Sequence, residues 1–148
     1  MEQSCSMCSW IEELKAGTNK FLIKELETGY VVLSKYQYYK GYTLFLSKHH
    51  ETELHMLKPE VRDKFLHEMA AVAEAVYKAV KPDKLNYELL GNNIPHLHWH
   101  IIPRVSTETN PEKPIWTIDK TVREAESAFP TEKERDRLKM EISKHLQS

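Results

Sequence analysis

The sequence of 148 residues has no long hydrophobic run, only two cysteines and almost no net charge. No stretch approaches the roughly 18 consecutive apolar residues that a membrane span requires, so we expect no membrane association. Lys and Arg number 21 against 22 Asp and Glu, which argues against a nucleic-acid polymer as partner. Two cysteines cannot build a disulfide framework. Their spacing, Cys5-x-x-Cys8, is typical of metal or redox chemistry in a reducing compartment.

The start of the chain, residues 1–5, has neither the charged region nor the apolar region of a signal peptide. We therefore expect a cytoplasmic protein. The composition, 41% hydrophobic and 29% charged, is that of a compact globular chain without repeats or Gly/Ser linkers. It predicts a single domain over residues 1–148, which would bury roughly two thirds of its unfolded surface.

Hydrophobic periodicity predicts five strands and three helices. The predicted strands cover residues 21–26, 30–34, 42–47, 85–90 and 96–102, with Pro103 ending the last. A short helix is expected from Trp10, opened by a capping box of Ser9 and Glu12 and ended at Gly17. A long helix follows Pro59, and a last one follows Thr131. The fold class is α+β, with an antiparallel sheet and helices covering one side.

Most of the candidate chemistry lies in the run His96-Leu97-His98-Trp99-His100. Because strand side chains alternate between faces, the three imidazoles are expected on one face and the apolar side chains in the core. A three-histidine metal site is an alternative. Same-face neighbours are ~6.5 Å apart and the outer pair ~13 Å, so at most two of these histidines could bind one ion.

This run resembles the signature of the histidine triad (HIT) superfamily, in which histidines alternate with apolar residues. Flanking residues are also similar to those of family members: Asn86, Gly91-Asn92, Pro103-Arg104, and Gly41 followed by Lys48-His49-His50. The resemblance covers residues 5–104, and residues 105–148 form a C-terminal extension. It implies a HIT-like fold: a five-stranded antiparallel sheet with a long helix and a C-terminal helix.

The resemblance also implies roles for individual residues. His98 would be the nucleophile, His100 would lie beside the phosphate, and His96 would orient or ligate. The implied substrate-binding residues are Asn86 at the ribose or phosphate, Gly91 and Asn92 at the phosphate oxygens, and Ser34 at the ribose. Ser34 departs from the acid or amide that is common at its position, and a hydroxyl binds a vicinal diol more weakly.

A nucleophilic His98 is also chemically reasonable, because imidazole with a pKa near ~6.5 is largely neutral at cellular pH. Its attack on an α-phosphate would give a nucleotidyl-histidine that water can hydrolyse. The leading hypothesis is a nucleotidyl hydrolase or transferase acting on dinucleoside polyphosphates or nucleoside phosphoramidates. The alternatives are a phosphorolytic nucleotidyltransferase and a non-enzymatic nucleotide- or zinc-binding adaptor.

For Cys5 and Cys8, a thioredoxin-like role is disfavoured because no strand can precede the motif. By resemblance to members with an N-terminal Cys-x-x-Cys, the pair predicts a structural zinc site completed by His50 and His96, with His49 as a competitor of His50. The simpler alternative is a frayed N-terminus that carries two free thiols and no metal. No organic cofactor is expected.

The resemblance further implies a homodimer built around the long helix and the strand after it, with nucleotide as the other partner. Trp116 would either cross to the neighbouring subunit's site or anchor a loop of its own chain. Ile23 and Leu33 could flank the base, although core packing explains them equally well. Three other histidines are expected to face solvent: His55, His67 and His145.

Overall fold

A computed structural model describes residues 5–146 of the chain. The prediction about a signal peptide concerns residues 1–5, and residues 1–4 lie outside the described part of the chain. The helices are α1 (Ser6–Ala16), α2 (Pro59–Val80), α3 (Lys120–Arg123) and α4 (Glu132–Lys144). The strands are β1 (Leu22–Glu25), β2 (Gly29–Leu33), β3 (Thr43–Ser47), β4 (Lys84–Glu88) and β5 (His98–Arg104). The predicted α+β class and five-stranded antiparallel sheet are confirmed.

The sheet has the strand order β1-β2-β3-β5-β4, and all neighbouring strands are antiparallel. The strand with the histidine run therefore lies inside the sheet, between β3 and β4. His98 pairs with Leu46 and His100 with Leu44, whereas Glu88 of β4 pairs with His100 on the other side. This central position gives β5 two neighbours, which restrict the motion of the side chains it carries.

The two faces of the sheet have separate cores. Phe45, Leu97 and Ile101 face α2 and α4, whose Leu138 and Ile142 belong to the same cluster. On the opposite face α1 packs Met7, Ile11 and Leu14 against Tyr30, Val32 and Leu46. The prediction that helices cover only one side of the sheet is therefore wrong. Apolar residues on both faces of β2 and β3 require a cover on each face, and α1 supplies the second one.

The predicted start of the first helix is wrong by four residues. Helix α1 begins at Ser6, and Cys5 is its N-cap, because the Cys5 thiol accepts a hydrogen bond from the Cys8 backbone N–H at 3.3 Å. Ser9 lies inside the helix and caps nothing there. Gly17 ends the helix as predicted, with a φ of 75° that favours glycine.

The last strand also differs from its prediction at both ends. His96 and Leu97 precede β5, and the strand continues through Pro103 to Arg104. Pairing of β5 with β3 ends at Ile101, so Pro103 lies where β5 has a neighbour on one side only. A proline without an N–H is tolerated at such an edge-like position.

A buried carboxylate of α2 holds the β1–β2 turn. Glu68, 8% exposed, accepts hydrogen bonds from the backbone N–H groups of Glu27 and Thr28 at 3.1 and 2.9 Å, and from the Thr28 hydroxyl. These contacts fix the sheet on the long helix. Among residues 5–146, no helix has the length and hydrophobicity needed to cross a bilayer.

Candidate active site and metal centre

His98 and His100 lie side by side on the face of the sheet that α1 partly covers, with ring centroids 4.9 Å apart. The same-face arrangement predicted for these two residues is thus observed. Both line a cavity of about 270 Å³, which we call the histidine cavity. Its other walls include the predicted Gly91 and Asn92, together with Leu90, Asn93, Ile94 and Trp116.

The hydrogen bond of the His98 ring defines which ring nitrogen carries the proton. Its Nδ1–H donates to the backbone carbonyl of His96 at 2.6 Å, so the unprotonated nitrogen is Nε2, on the opposite side of the ring. Burial lowers the pKa of His98 below 6.5, although the hydrogen bond to the His96 carbonyl opposes this shift. The ring is therefore neutral near pH 7, with a lone pair on Nε2 for nucleophilic attack.

His100 is oriented by Tyr42, whose hydroxyl oxygen lies 2.7 Å from the His100 Nδ1. Burial, and to a smaller extent the neighbouring Glu88, raises the pKa of Tyr42, so its hydroxyl keeps its proton and donates it to Nδ1. The proton of the neutral His100 ring is then on Nε2. Burial and the nearby His98 lower the pKa of His100 to about 4. His100 is consequently a neutral hydrogen-bond donor rather than a cation.

Gly91 and Asn92 lie in the loop before β5 and form one wall of the histidine cavity. Gly91 has a φ of 78°, a conformation that L side chains rarely adopt, so the turn requires glycine at this position. Gly91 and Asn92 thus share one cavity with His98 and His100, and their role at the phosphate oxygens stays a prediction.

Asn86 has a different partner from the one the resemblance implied. It lies on β4, and its Oδ1 accepts a hydrogen bond from Arg104 at 2.7 Å. The Arg104 side chain is 4% exposed and also forms an ion pair with Glu108 at 2.8 Å. Asn86 does not line the histidine cavity. Its substrate-binding role stays a prediction, whereas its observed contact is with the buried Arg104.

Two further cavities adjoin the histidine cavity. The tyrosine cavity, about 180 Å³, shares His100 and Trp116 with it and is lined by Ser34, Tyr36, Tyr38, Tyr39, Tyr42, Ile115, Arg123 and Glu124. The outer cavity, about 800 Å³, includes Trp10, Phe21, Leu44 and Ile94 in its walls. Ser34 lines both of these cavities, so the residue implied at the ribose faces a concave surface near His100.

The suggestion that Ile23 and Leu33 flank a base is wrong, because both pack in the core on the α2 side of the sheet. Trp10 and Phe21, which the sequence analysis did not single out, are the aromatic residues beside the outer cavity. No periodic pattern in the sequence relates these two residues to each other or to the cavity. Trp116 lies in its own chain's site, with its ring 5.9 Å from that of His100.

Cys5, Cys8, His50 and His96 converge, with one ligand atom from each lying within 4.8 Å of all the others. The His50 and His96 Nδ1 atoms are 3.1 Å apart, and Cys8 Sγ lies 3.2 Å from His50 Nδ1. Both thiol sulfurs are 3.7 Å from His96 Nδ1. A tetrahedral zinc with such ligands separates their atoms by about 3.3 to 3.8 Å, so the four residues fit that ion.

The hydrogen bonds around this group support a ligand role for His96. Its Nε2–H donates to the Ser47 backbone carbonyl at 2.8 Å, which leaves Nδ1 unprotonated and directed at the other three residues. His50, not His49, belongs to the group. His55 and His67 are exposed as predicted, whereas His145 is half-buried.

Together, the antiparallel α+β sheet and the two imidazoles over a cleft define a small domain with a histidine-based site. Comparisons with known proteins agree. The family model of the HIT domain matches residues 16–107, more than half of the chain. This chain belongs to the HIT domain family.

Solved structures of histidine triad proteins share the fold. One from Bradyrhizobium japonicum has 22% identity and a TM-score of 0.73, with 85% of this chain and 90% of that chain covered. A hypothetical histidine triad nucleotide-binding protein from Sulfolobus tokodaii has 21% identity, a TM-score of 0.70 and coverages of 96% and 91%. A zinc-bound histidine triad family protein from Mycobacterium smegmatis has 21% identity, a TM-score of 0.62 and coverages of 97% and 96%. A search of curated proteins found no match.

Proposed function

We propose that this protein is a nucleotidyl hydrolase or transferase in which His98 attacks the α-phosphate of a dinucleoside polyphosphate or a nucleoside phosphoramidate. The observation that carries the proposal is the hydrogen bond from His98 Nδ1–H to the His96 carbonyl, which leaves the Nε2 lone pair of a neutral ring for attack. Membership of the HIT domain family and the similarity to a Sulfolobus protein described as nucleotide-binding support the substrate class.

In the first step of the proposed reaction, an N–P bond forms from His98 Nε2 while the bond from phosphorus to the leaving group breaks. The leaving group departs with that electron pair, as an anion when it is a phosphate and with a proton taken up from solvent when it is an amine. The His100 Nε2–H donates to a phosphate oxygen, and the backbone around Gly91 and the Asn92 amide supply further donors. Water then attacks phosphorus, the N–P electron pair returns to Nε2, and the water proton passes to solvent.

The pH dependence tests the environment of the two imidazoles. Both must be neutral in this mechanism, and burial lowers both pKa values, that of His100 to about 4. As pH falls, kcat/KM should therefore keep its plateau to below pH 6.5, the ordinary value for histidine. A site governed by an unperturbed imidazole would lose about three quarters of its activity at pH 6. A kcat/KM profile with its acid midpoint at or above 6.5 would contradict the assignment.

We further propose that Cys5, Cys8, His50 and His96 bind one structural zinc ion. Four protein ligands fill a tetrahedral site, so the metal would stabilise the fold and take no part in the reaction. It would join the first turn of α1 to His50 and to His96, which lies two residues before the strand that begins at His98. The description of the Mycobacterium smegmatis relative as zinc-bound supports this proposal.

A homodimer remains the proposed assembly, built on α2 and β4. β4 ends the sheet order, so one of its edges has no partner strand within residues 5–146. Tyr87 on this strand and Tyr77 on α2 are 49% and 51% exposed, large apolar surfaces that a second subunit could cover.

We expect light scattering at micromolar concentration to give twice the chain mass of 17.4 kDa. Replacing Tyr87 with lysine should shift the protein to the monomer, since a charge at the centre of an apolar contact is left unpaired. Met140→Lys is the matched control, because Met140 is also an exposed apolar residue, 64% exposed, and belongs to α4 rather than to α2 or β4. A fully active monomer at all concentrations would refute the proposal.

A further inference from the structure

Arg123 lies at the end of α3 in the C-terminal extension, outside the residues 16–107 that match the HIT domain. It lines the tyrosine cavity, which shares His100 and Trp116 with the histidine cavity. Neither cavity contains another lysine or arginine among its described lining residues. Arg123 is therefore the one lysine or arginine that the described walls of these two cavities contribute beside His98 and His100.

The guanidinium of Arg123 is held in position by contacts on two sides. Its Nε–H donates to the Ile118 carbonyl at 2.9 Å. Its central carbon lies over the Trp116 ring, 4.9 Å from the ring centroid, which is a cation–π contact. The hydrogen bond uses Nε, and among residues 5–146 no hydrogen bond to the two terminal nitrogens is formed, so these nitrogens are left for a ligand.

Trp116 connects this guanidinium to the reacting histidines. The Trp116 Nε1–H donates to Glu88 at 2.8 Å, and the ring meets the His100 ring edge-on at 5.9 Å. Arg123 is thus fixed relative to His100 through one rigid aromatic side chain. Glu124 lines the same cavity, but within residues 5–146 no ion pair joins Arg123 to a carboxylate. The positive charge is consequently available to a bound anion.

We propose that Arg123 determines specificity by binding a phosphate of the leaving group. A planar guanidinium with two free donors matches two phosphate oxygens, and its charge offsets the negative charge that develops on the departing phosphate oxygen. An uncharged amine leaving group gains nothing from this contact. This inference rests on the proposed function, and within it the preferred substrates are those whose α-phosphate is linked to further phosphate, rather than nucleoside phosphoramidates.

The test compares kcat/KM for diadenosine tetraphosphate and for adenosine 5′-phosphoramidate in the wild-type protein and in Arg123→Gln. Loss of a charge-assisted contact should lower the value for the tetraphosphate by about tenfold to a hundredfold, with the phosphoramidate changed less than about threefold. Arg123→Lys should recover part of the difference, since it restores the charge without the planar fork. Lys120→Gln, an exposed change on the same short helix, should leave both substrates unaffected.

Equal losses on the two substrates, or no loss on the tetraphosphate, would overturn the specificity role. Binding of inorganic pyrophosphate to His98→Asn protein, measured by calorimetry with and without Arg123→Gln, separates this inference from the proposed function. If the wild-type protein hydrolyses neither nucleotide, the proposed function fails. Arg123-dependent pyrophosphate binding would still support the anion site, and Arg123-independent binding would refute it. Unchanged melting temperatures establish that the variants fold.

Discussion

Replacing His98 with asparagine is expected to lower kcat by at least about a thousandfold while leaving nucleotide affinity within about tenfold. In the proposed mechanism this residue forms the bond to phosphorus, whereas most of the ground-state contacts would come from the other residues that line the cavities. Asparagine keeps a polar side chain of similar reach but has no nucleophilic ring nitrogen. The loss should therefore appear in the chemical step and not in binding.

Mass spectrometry of acid-sensitive adducts gives the second readout. A quenched mixture of wild-type protein and diadenosine polyphosphate should contain a nucleotidyl adduct on His98, and the variant should contain none. His67→Asn serves as the matched control, because His67 is exposed on α2 and should retain full activity. Turnover near wild type in the His98 variant would exclude the covalent mechanism. Nucleotide binding without turnover in the wild-type protein would favour the adaptor alternative.

Removal of the proposed zinc ion should produce the other large effect, a loss of stability. We expect protein prepared without chelator to hold one zinc per chain. If zinc is present at about a thousand times its dissociation constant, it stabilises the fold by about 4 kcal/mol. For a chain of this size that corresponds to a fall of about 10 °C in melting temperature on chelation. Cys5→Ser should lower both the zinc content and the melting temperature.

The neighbouring histidines provide a matched pair for this experiment. His50→Asn removes a proposed ligand and should behave like Cys5→Ser, whereas His49→Asn should keep the zinc, because His49 is outside the converging group. Zinc content below about a tenth of an equivalent in the wild-type protein would refute the site. Equal losses in the two histidine variants would refute the proposed choice of ligand.

Much of the site was predictable because it depends on local periodicity. Alternation along a strand places His98 and His100 on one face and Leu97 and Ile101 in the opposite core, wherever the strand lies in the sheet. The spacing of Cys5 and Cys8 likewise brings two thiols together on the first helical turn. These relations involve residues a few positions apart, and backbone geometry alone determines them.

The choice between adjacent residues required the tertiary structure. His49 and His50 are equivalent in the sequence, yet only His50 joins the metal group. His50 meets Cys8 and His96, which lie 42 and 46 residues away in the chain, so non-local packing decides which of the two histidines joins the group. Pro103 is a similar case. Whether a proline can stand inside β5 depends on where β3 stops pairing with β5, which the sequence does not show.

The sequence by itself determined the fold class and the shared face of His98 and His100, and the family resemblance narrowed the candidate metal ligands to the choice between two histidines. Only the tertiary structure decided which side chains complete the cleft: Trp10, Phe21, Tyr42, Trp116 and Arg123. These residues come from segments far apart in the chain, and no periodic pattern relates them. Their meeting depends on how α1 and the C-terminal extension pack against the sheet, which non-local contacts determine.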